Sequence, residues 1–104
     1  MYLVVFRNRK RSNLDRFAYE ADAVLMEELA AVQPGFLSFK TYVAEDGEAV
    51  SISEWKSEAA ARAWRSMTEH VGVQIKGRAD YYENYTVFAC TDPRVHHFER
   101  REEA

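Results

Sequence analysis

Stretches of branched and aromatic residues predict four β-strands over residues 2–8, 36–44, 49–55 and 81–91. The first of them is apolar on both faces, with Leu3 and Val5 on one side and Tyr2, Val4 and Phe6 on the other. A strand of this kind needs cover on both sides, which helices supply on one side and further sheet or a partner subunit on the other. Asp46-Gly47 lies between the second and third strands and predicts a hairpin turn.

Apolar residues at helical spacing predict a first helix that begins with a capping box at Ser12–Asp15 and runs to about Gln33, where Pro34-Gly35 ends it. Its apolar stripe contains Leu14, Phe17, Ala18, Ala21, Val24, Leu25, Leu29 and Val32. Glu28 falls inside this stripe. We therefore expect Glu28 to reach the rim, to pair with an arginine, or to be a catalytic carboxylate of raised pKa.

A second helix is predicted after Ser57, whose hydroxyl is the expected cap. Its apolar stripe consists of Ala60, Ala63, Trp64, Met67 and Val71. Gly72 predicts a break, and Gly77 the end of a second helical piece. Asp92-Pro93 ends the last strand, so we expect one folded domain over residues 1–92 and a charged tail over residues 93–104.

The resulting order, β-α-β-β-α-β, predicts an α+β ferredoxin-like fold, in which both helices cover one face of a four-stranded antiparallel sheet. The third strand has an oily face with Val50 and Ile52 and a mixed face with Ser51, Ser53 and Trp55. The oily face suits the helices, and the mixed face suits a ligand-holding interior or a second sheet. We expect the uncovered face to carry Tyr, Phe and Trp and to form a homodimer with a second copy.

Composition limits the classes of function that remain. The 104 residues are 47% apolar and 30% charged, which is typical of one globular domain. A net charge of −3 argues against a general nucleic-acid binder, and no apolar run is long enough for a membrane span. We expect a cytoplasmic protein without a signal peptide. Cys90, the single cysteine, is expected to be a buried and unreactive thiol.

The candidate chemistry is concentrated between Glu54 and Tyr85, where His70 is the main candidate for a general base. Gln74 lies one turn further on, within reach of the same ligand. Trp55 and Trp64 suit either core packing or the wall of a pocket for a planar aromatic ligand, to which Asn8 and Tyr85 add polar groups. The basic run Arg7–Arg11 suits a solvated loop or an anion-holding rim. No spacing typical of a metal site occurs, and the adjacent pair His96-His97 points to opposite faces of an extended chain.

Several of these residues together resemble the antibiotic biosynthesis monooxygenase (ABM) family. They are Trp55-Lys56-Ser57 with Ala60, Ala61 and Trp64, then His70, Gln74 and Gly77-Arg78, the tyrosine-rich last strand, and Pro34-Gly35-Phe36. The resemblance implies a dimeric α+β barrel and an oxygenase that uses neither metal nor flavin. In a haem-degrading branch it implies that Asn8, Trp64 and His70 form the site. The interval from Trp64 to His70 is about one helical turn shorter than in that branch.

Three hypotheses follow from the sequence. The first is a cofactor-independent oxygenase acting on an aromatic or quinol-like substrate that a base such as His70 prepares for oxygen. The second is a haem-binding or haem-degrading protein. The third is a non-catalytic dimeric protein that binds a small ligand. A deep cavity where His70, Asn8 and a tryptophan converge favours an enzyme, whereas a cavity filled by Tyr and Phe favours the third hypothesis.

Overall fold

The computed structural model describes residues 1–70, 72 and 77–101, apart from the side chains of residues 69, 70 and 77. Its elements are β1 (Tyr2–Lys10), α1 (Arg16–Ala31), β2 (Phe36–Val43), β3 (Ala49–Trp55), α2 (Glu58–His70), a π-helical turn (Gly77–Tyr81) and β4 (Tyr82–Thr91). The strands form one antiparallel sheet in the order β2-β3-β1-β4. The predicted α+β ferredoxin-like fold is therefore confirmed.

The start of α1 differs from the predicted capping box. Asp15 is the N-cap, and its Oδ1 accepts a hydrogen bond from the Ala18 amide at 3.1 Å. Ser12 lies in the preceding turn, because β1 continues to Lys10 and the chain then turns before the helix begins. The prediction was wrong because a Ser-x-x-Asp spacing does not show which of its two ends caps the helix.

The buried face of α1 is rotated from the predicted stripe. Ala30 is buried, whereas Phe17 is 87% exposed and Val32 75% exposed. The half-buried residues are Ala18, Tyr19, Asp22, Ala23, Met26 and Leu29. The helical wheel misplaced the face because Tyr19 and Asp22 turn inward to polar partners, which an apolar count cannot anticipate. Glu28 is exposed and lies outside the buried face.

The two faces of the sheet are also exchanged relative to the prediction. Trp55 packs against Ala30 and Ala61, so the mixed face with Ser51 and Ser53 lies under the helices. The face away from the helices carries the oily side chains, namely Leu3, Val5, Val50, Ile52, Phe88 and Cys90. Cys90 is exposed for this reason, contrary to the buried thiol that the sequence predicted. Trp55 lies on the helix side, where it is 1% exposed. Its indole is the largest apolar group on β3 and therefore gains most from burial.

The helix α2 begins as predicted. The Ser57 hydroxyl accepts a hydrogen bond from the Ala60 amide at 3.2 Å. Its inward side is formed by Ala61 and Thr68, which are buried, with Trp64 half-buried between them. Ala63, which the predicted stripe included, is exposed, and Val71 lies outside the described residues. Within the part of the chain that the structure describes, no helix has the length and apolar character to cross a membrane.

Gly35 is the point at which the end of α1 approaches the start of α2. Its φ is +83°, and its carbonyl accepts a hydrogen bond from the Lys56 amide at 2.8 Å. A Cβ added to Gly35 would lie 2.6 Å from the Ala60 Cβ. Glycine is therefore required here both for its backbone conformation and for its lack of a side chain.

We expect Gly35→Ala to lower the free energy of unfolding by about 2–4 kcal/mol, because a left-handed alanine is strained and α2 must move outward. Gly47→Ala is the matched control. Its φ is +89°, but nothing lies within 4 Å of the position that a Cβ would take, so only the backbone strain of about 1–2 kcal/mol applies. Urea unfolding of both variants at one protein concentration measures the difference. Equal losses would show that the contact with Ala60 costs nothing.

Candidate functional site

A cluster of four tyrosines lies between the sheet and α1 at the end of the sheet where β1 terminates. The tyrosine cluster consists of Tyr19, Tyr81, Tyr82 and Tyr85. The Tyr19 ring is 5.4 Å from the Tyr81 ring, and the Tyr82 ring is 5.9 Å from the Tyr85 ring. Phe6 joins it from the sheet, at 5.3 Å from Tyr82 and 5.4 Å from Tyr85. The Tyr81 hydroxyl donates to Asp22 on α1 at 2.5 Å, which fixes the helix against the π-helical turn.

Asn8 is the buried polar residue at the edge of this cluster. It pairs with Ala49 and Tyr85 across the sheet and is 2% exposed. Its Oδ1 accepts a hydrogen bond of 2.6 Å from the Lys10 ammonium. Because alternate residues of a strand share a face, Asn8 and Lys10 both point toward the helices. The structure therefore brings Asn8 and Tyr85 side by side on neighbouring strands.

The two tryptophans form a second cluster at the other end of the helix-facing layer. The tryptophan cluster consists of Phe36, Trp55 and Trp64, in which the indoles stack with centroids 6.1 Å apart. The Trp55 Nε1 donates to the Ser53 hydroxyl at 3.0 Å, so the buried indole is satisfied. Trp55 pairs with Tyr2, which lies six positions from Asn8 on β1, about 20 Å along the strand. The structure thus separates Asn8 from Trp55 and its stacking partner Trp64.

The sheet rows between the two clusters are only partly covered by the helices. This central strip consists of Phe39, Thr41 and Ser51 on the helix-facing side of β2 and β3. Phe39 is 38% exposed, and the hydroxyls of Thr41 and Ser51 are 2.7 Å apart. An aromatic and two hydroxyls at an accessible surface provide both stacking and hydrogen-bonding groups for a planar polar ligand.

The arginines of the basic run Arg7–Arg11 contact other residues of the chain and do not form a free anion-holding rim. Arg9 donates to the Asp46 carboxylate at 2.7 Å, and Arg11 donates to the Ala79 carbonyl at 2.9 Å. Arg7 points to the opposite face from Asn8, with its guanidinium 5.5 Å from the Phe88 ring centre and 3.9 Å from Glu48. Arg7 therefore does not share a pocket with Asn8.

His70 and Gln74 fall where the structure gives no account of a side chain. His70 is the last residue of α2, and its side chain lies outside the described residues, as does the whole of Gln74. Their predicted roles stay predictions. His96 and His97 are exposed in the tail, and among the described residues no three His, Cys, Asp or Glu side chains are grouped as metal ligands.

The sequence reasoning missed Lys10, Tyr19 and Tyr82 as members of this region. Lys10 was grouped with the surrounding arginines, although its position two residues after Asn8 places both on one face of the strand. Tyr82 pairs with Lys10 across the sheet after a bulge at Arg9/Lys10. That irregularity has no signature in the sequence, so the approach of Tyr82 could not be deduced from alternation alone.

Burial in this cluster raises the pKa of the Tyr82 phenol, and the neighbouring Tyr19 hydroxyl raises it further. The folded protein therefore holds Tyr82 neutral, whereas the unfolded chain ionises it near pH 10. Its contribution to stability is complete below about pH 10 and is lost as the pH rises further, because ionisation then stabilises the unfolded state by up to about 1.4 kcal/mol per pH unit.

We expect Tyr82→Phe to flatten the fall of unfolding free energy between pH 10 and about 11.5 relative to the wild type. Tyr42→Phe is the control, since Tyr42 is 50% exposed on the face of the sheet away from the helices. Urea unfolding at several alkaline pH values measures both slopes. The same slope in all three proteins would contradict a neutral buried Tyr82.

The chain is similar to known proteins in sequence. Its residues 1–74 match the family model described as antibiotic biosynthesis monooxygenase. It is 40% identical over 86 residues to the uncharacterized protein YqjZ of Bacillus subtilis (strain 168), covering 83% of this chain and 74% of YqjZ. The chain belongs to the antibiotic biosynthesis monooxygenase family. The resemblance inferred from the sequence is confirmed.

Solved ABM-type structures share the fold at low sequence identity. SnoaB of Streptomyces nogalater, described as a cofactor-independent oxygenase, has a TM-score of 0.72 and 18% identity over 90% of this chain and 94% of its own. The ActVA-Orf6 monooxygenase of Streptomyces coelicolor, solved with the ligand nanaomycin D, has a TM-score of 0.71 and 18% identity over 95% of this chain and 92% of its own. At such identities the likeness establishes the ABM fold alone.

Proposed function

We propose that this ABM protein is an oxygenase that acts on a small electron-rich aromatic or quinol-like substrate without metal or flavin. One observation carries the proposal. Asn8 is almost completely buried, its Oδ1 is held by Lys10, and its Nδ2 has no hydrogen-bond partner among the described residues. Among the described residues, every side-chain nitrogen or oxygen without a hydrogen-bond partner keeps some accessible surface. The Nδ2 atom of Asn8 can therefore be reached by a ligand. A fixed donor of this kind suits an oxygen atom on which negative charge develops.

The proposed chemistry needs only a general base, a hydrogen-bond donor and molecular oxygen. Removal of a proton from a phenol, quinol or anthrone gives a delocalised anion, and the Asn8 Nδ2–H stabilises the charge on its oxygen. The anion reacts with oxygen at carbon. One oxygen atom is retained as a carbonyl and the other leaves as water, and the substrate supplies both electrons and both hydrogens. We assign the base to His70, because imidazole is the side-chain type whose ordinary pKa lies nearest to neutrality.

The substrate is proposed to lie along the central strip, between the two aromatic clusters. Tyr85, which pairs with Asn8 on β4, contacts its oxygen-bearing end. Trp64 and Trp55 close the far end of the central strip with their stacked indoles, beyond a small substrate held at Asn8. Gln74 is assigned to the same pocket by its sequence position after His70. Arg7 is left out of the proposed pocket because it lies on the opposite face of the sheet.

Oxygen consumption by the purified protein tests this function. Anthrone and 1,4-naphthoquinol serve as probes in a broader panel of phenols and quinols, with an oxygen electrode and product analysis as readouts. We expect uptake above the buffer rate with at least one probe, unchanged by a metal chelator. No uptake with any member of the panel contradicts the proposal.

A homodimer formed through the face of the sheet away from the helices is part of the same proposal. The protomer exposes 7997 Å², whereas a compact monomer of 12.1 kDa exposes about 6,000 Å². The tail over residues 93–101 is mostly exposed, and the oily face defined by Leu3, Val5, Val50, Ile52 and Phe88 has no helix packed on it. Stable dimers typically bury about 800 Å² or more per partner, and we propose that this face forms the interface. We assign residues 1–92 to the dimerising domain.

A non-catalytic ligand-binding protein is the second candidate. The observation that favours it is the tyrosine cluster, which fills the layer around Asn8 with aromatic rings. Such a protein binds the same probes, as seen by quenching of Trp64 fluorescence, but consumes no oxygen. A haem titration separates the remaining alternative, since a haem protein gives a Soret band that His70→Ala removes.

A further inference from the structure

We propose that Lys10 is a positioning residue, which fixes the Asn8 amide so that its NH₂ group is always the side presented to the ligand. This inference rests on the proposed role of Asn8 and adds to it the reason for the orientation of the amide. The two residues are two positions apart on β1, and their side chains are joined by the 2.6 Å bond from Lys10 Nζ to Asn8 Oδ1.

The direction of the amide follows from the chemistry of the ammonium group. A lysine ammonium carries only donors, so the amide atom that it contacts must be the oxygen. The Nδ2 atom then points away from Lys10, and it has no other partner among the described residues. With an apolar residue at position 10, the amide can rotate by 180° and present its oxygen to the ligand instead, which repels an oxyanion.

Lys10 is itself held in place by two members of the tyrosine cluster. Its Nζ lies 5.1 Å from the Tyr19 ring centre and 5.8 Å from the Tyr82 ring centre. The negative faces of aromatic rings attract a cation at these distances. Tyr19 belongs to α1 and Tyr82 to β4, so two separate elements hold the Lys10 ammonium in place. The ammonium in turn holds the Asn8 amide.

The arrangement distinguishes Lys10 from its basic neighbours. Arg9 bonds to Asp46 in the hairpin turn, and Arg11 bonds to the backbone of Ala79. Of the three, Lys10 alone points into the layer between sheet and helices and contacts Asn8. The bonds of Arg9 and Arg11 stabilise loops. The Lys10–Asn8 bond instead determines which atom of the buried Asn8 amide faces the ligand.

A double-mutant cycle on oxygen uptake tests this role, with anthrone as the probe. We expect Lys10→Met, which keeps the length of the side chain but removes the donor, to lower kcat about tenfold or more with little change in KM. Lys10→Arg restores most of the rate because it retains a donor. The Asn8→Ala variant and the Asn8→Ala/Lys10→Met double variant should have the same residual rate, because Lys10 acts only through Asn8. Additive losses, or an unchanged kcat in Lys10→Met, would overturn the proposal.

A second measurement tests the positioning role of Lys10 even if the protein consumes no oxygen. The Asn8 side-chain NH₂ resonances in a ¹H–¹⁵N spectrum are identified by their disappearance in Asn8→Ala. We expect them to be sharp and well separated in the wild type and in Lys10→Arg, and broadened or shifted in Lys10→Met while the backbone amides of α2 remain in place. Identical Asn8 NH₂ signals in wild type and Lys10→Met would refute the positioning role, whereas absent oxygen uptake alone would refute the proposed oxygenase function.

Discussion

Asn8→Asp is expected to lower kcat for oxygen uptake by about 10²–10³-fold, the usual effect of removing one donor from a developing oxyanion. The substitution replaces Nδ2 by an oxygen of nearly the same size, so the ligand meets an acceptor where it met a donor. The remaining carboxylate oxygen still accepts from Lys10, and the contact of 2.6 Å becomes an ion pair. The variant is therefore expected to fold, and thermal unfolding verifies this independently of activity.

Asn84→Asp is the matched control for this experiment. Asn84 is exposed on β4, where it pairs with Arg9 on the opposite face of the sheet from Asn8. The same change of one amide to one carboxylate there should leave kcat within about twofold. A loss of rate equal to that of Asn8→Asp would attribute the effect to net charge and remove Asn8 from the reaction.

Val5→Asp is expected to convert the proposed dimer to a monomer. Val5 lies at the centre of the oily face, between Ile52 on β3 and Phe88 on β4. In a two-fold symmetric dimer the substitution introduces two carboxylates into one interface. An unpaired charge taken from water costs several kcal/mol, which raises the dimer Kd by about 10³-fold or more. Sedimentation velocity over a range of micromolar concentrations measures the change.

The control for the interface is Ser66→Asp, because Ser66 is exposed on α2 and lies away from that face. It adds the same charge and should leave the sedimentation coefficient unchanged. A wild-type protein that sediments as a monomer at high concentration would contradict the proposed interface, and so would a Val5→Asp variant that remains dimeric.

Binary patterns predicted the elements of this fold correctly but not the direction in which their side chains point. Alternation located the strands, and the hairpin at Asp46-Gly47 and the Ser57 cap agree with the structure. Both faces of β3 carry apolar groups, however, and a period of two residues cannot say which face meets the helices. The structure places Trp55 inward because a full indole gains most from burial against Ala30 and Ala61.

In the candidate site, too, the sequence indicated the residue types but not their spatial arrangement. Sequence reasoning could name Asn8, Tyr85 and Trp64 as candidates, since amides and aromatics at strand ends and on helices are recognisable as residue types. It could not show that Asn8 lies six strand positions, or about 20 Å, from the residue that pairs with Trp55, because that separation depends on the register of β1 against β3.

The order of elements, the ferredoxin-like sheet and the membership of the antibiotic biosynthesis monooxygenase family follow from the sequence, because they depend on local propensity and on short motifs. Only the packed structure shows that Lys10 binds the oxygen of Asn8, that Tyr19 and Tyr82 hold Lys10, and that the oily face lies away from the helices. Those features depend on strand register, on a bulge and on the rotation of a helix, and each of these is fixed only when the elements pack together.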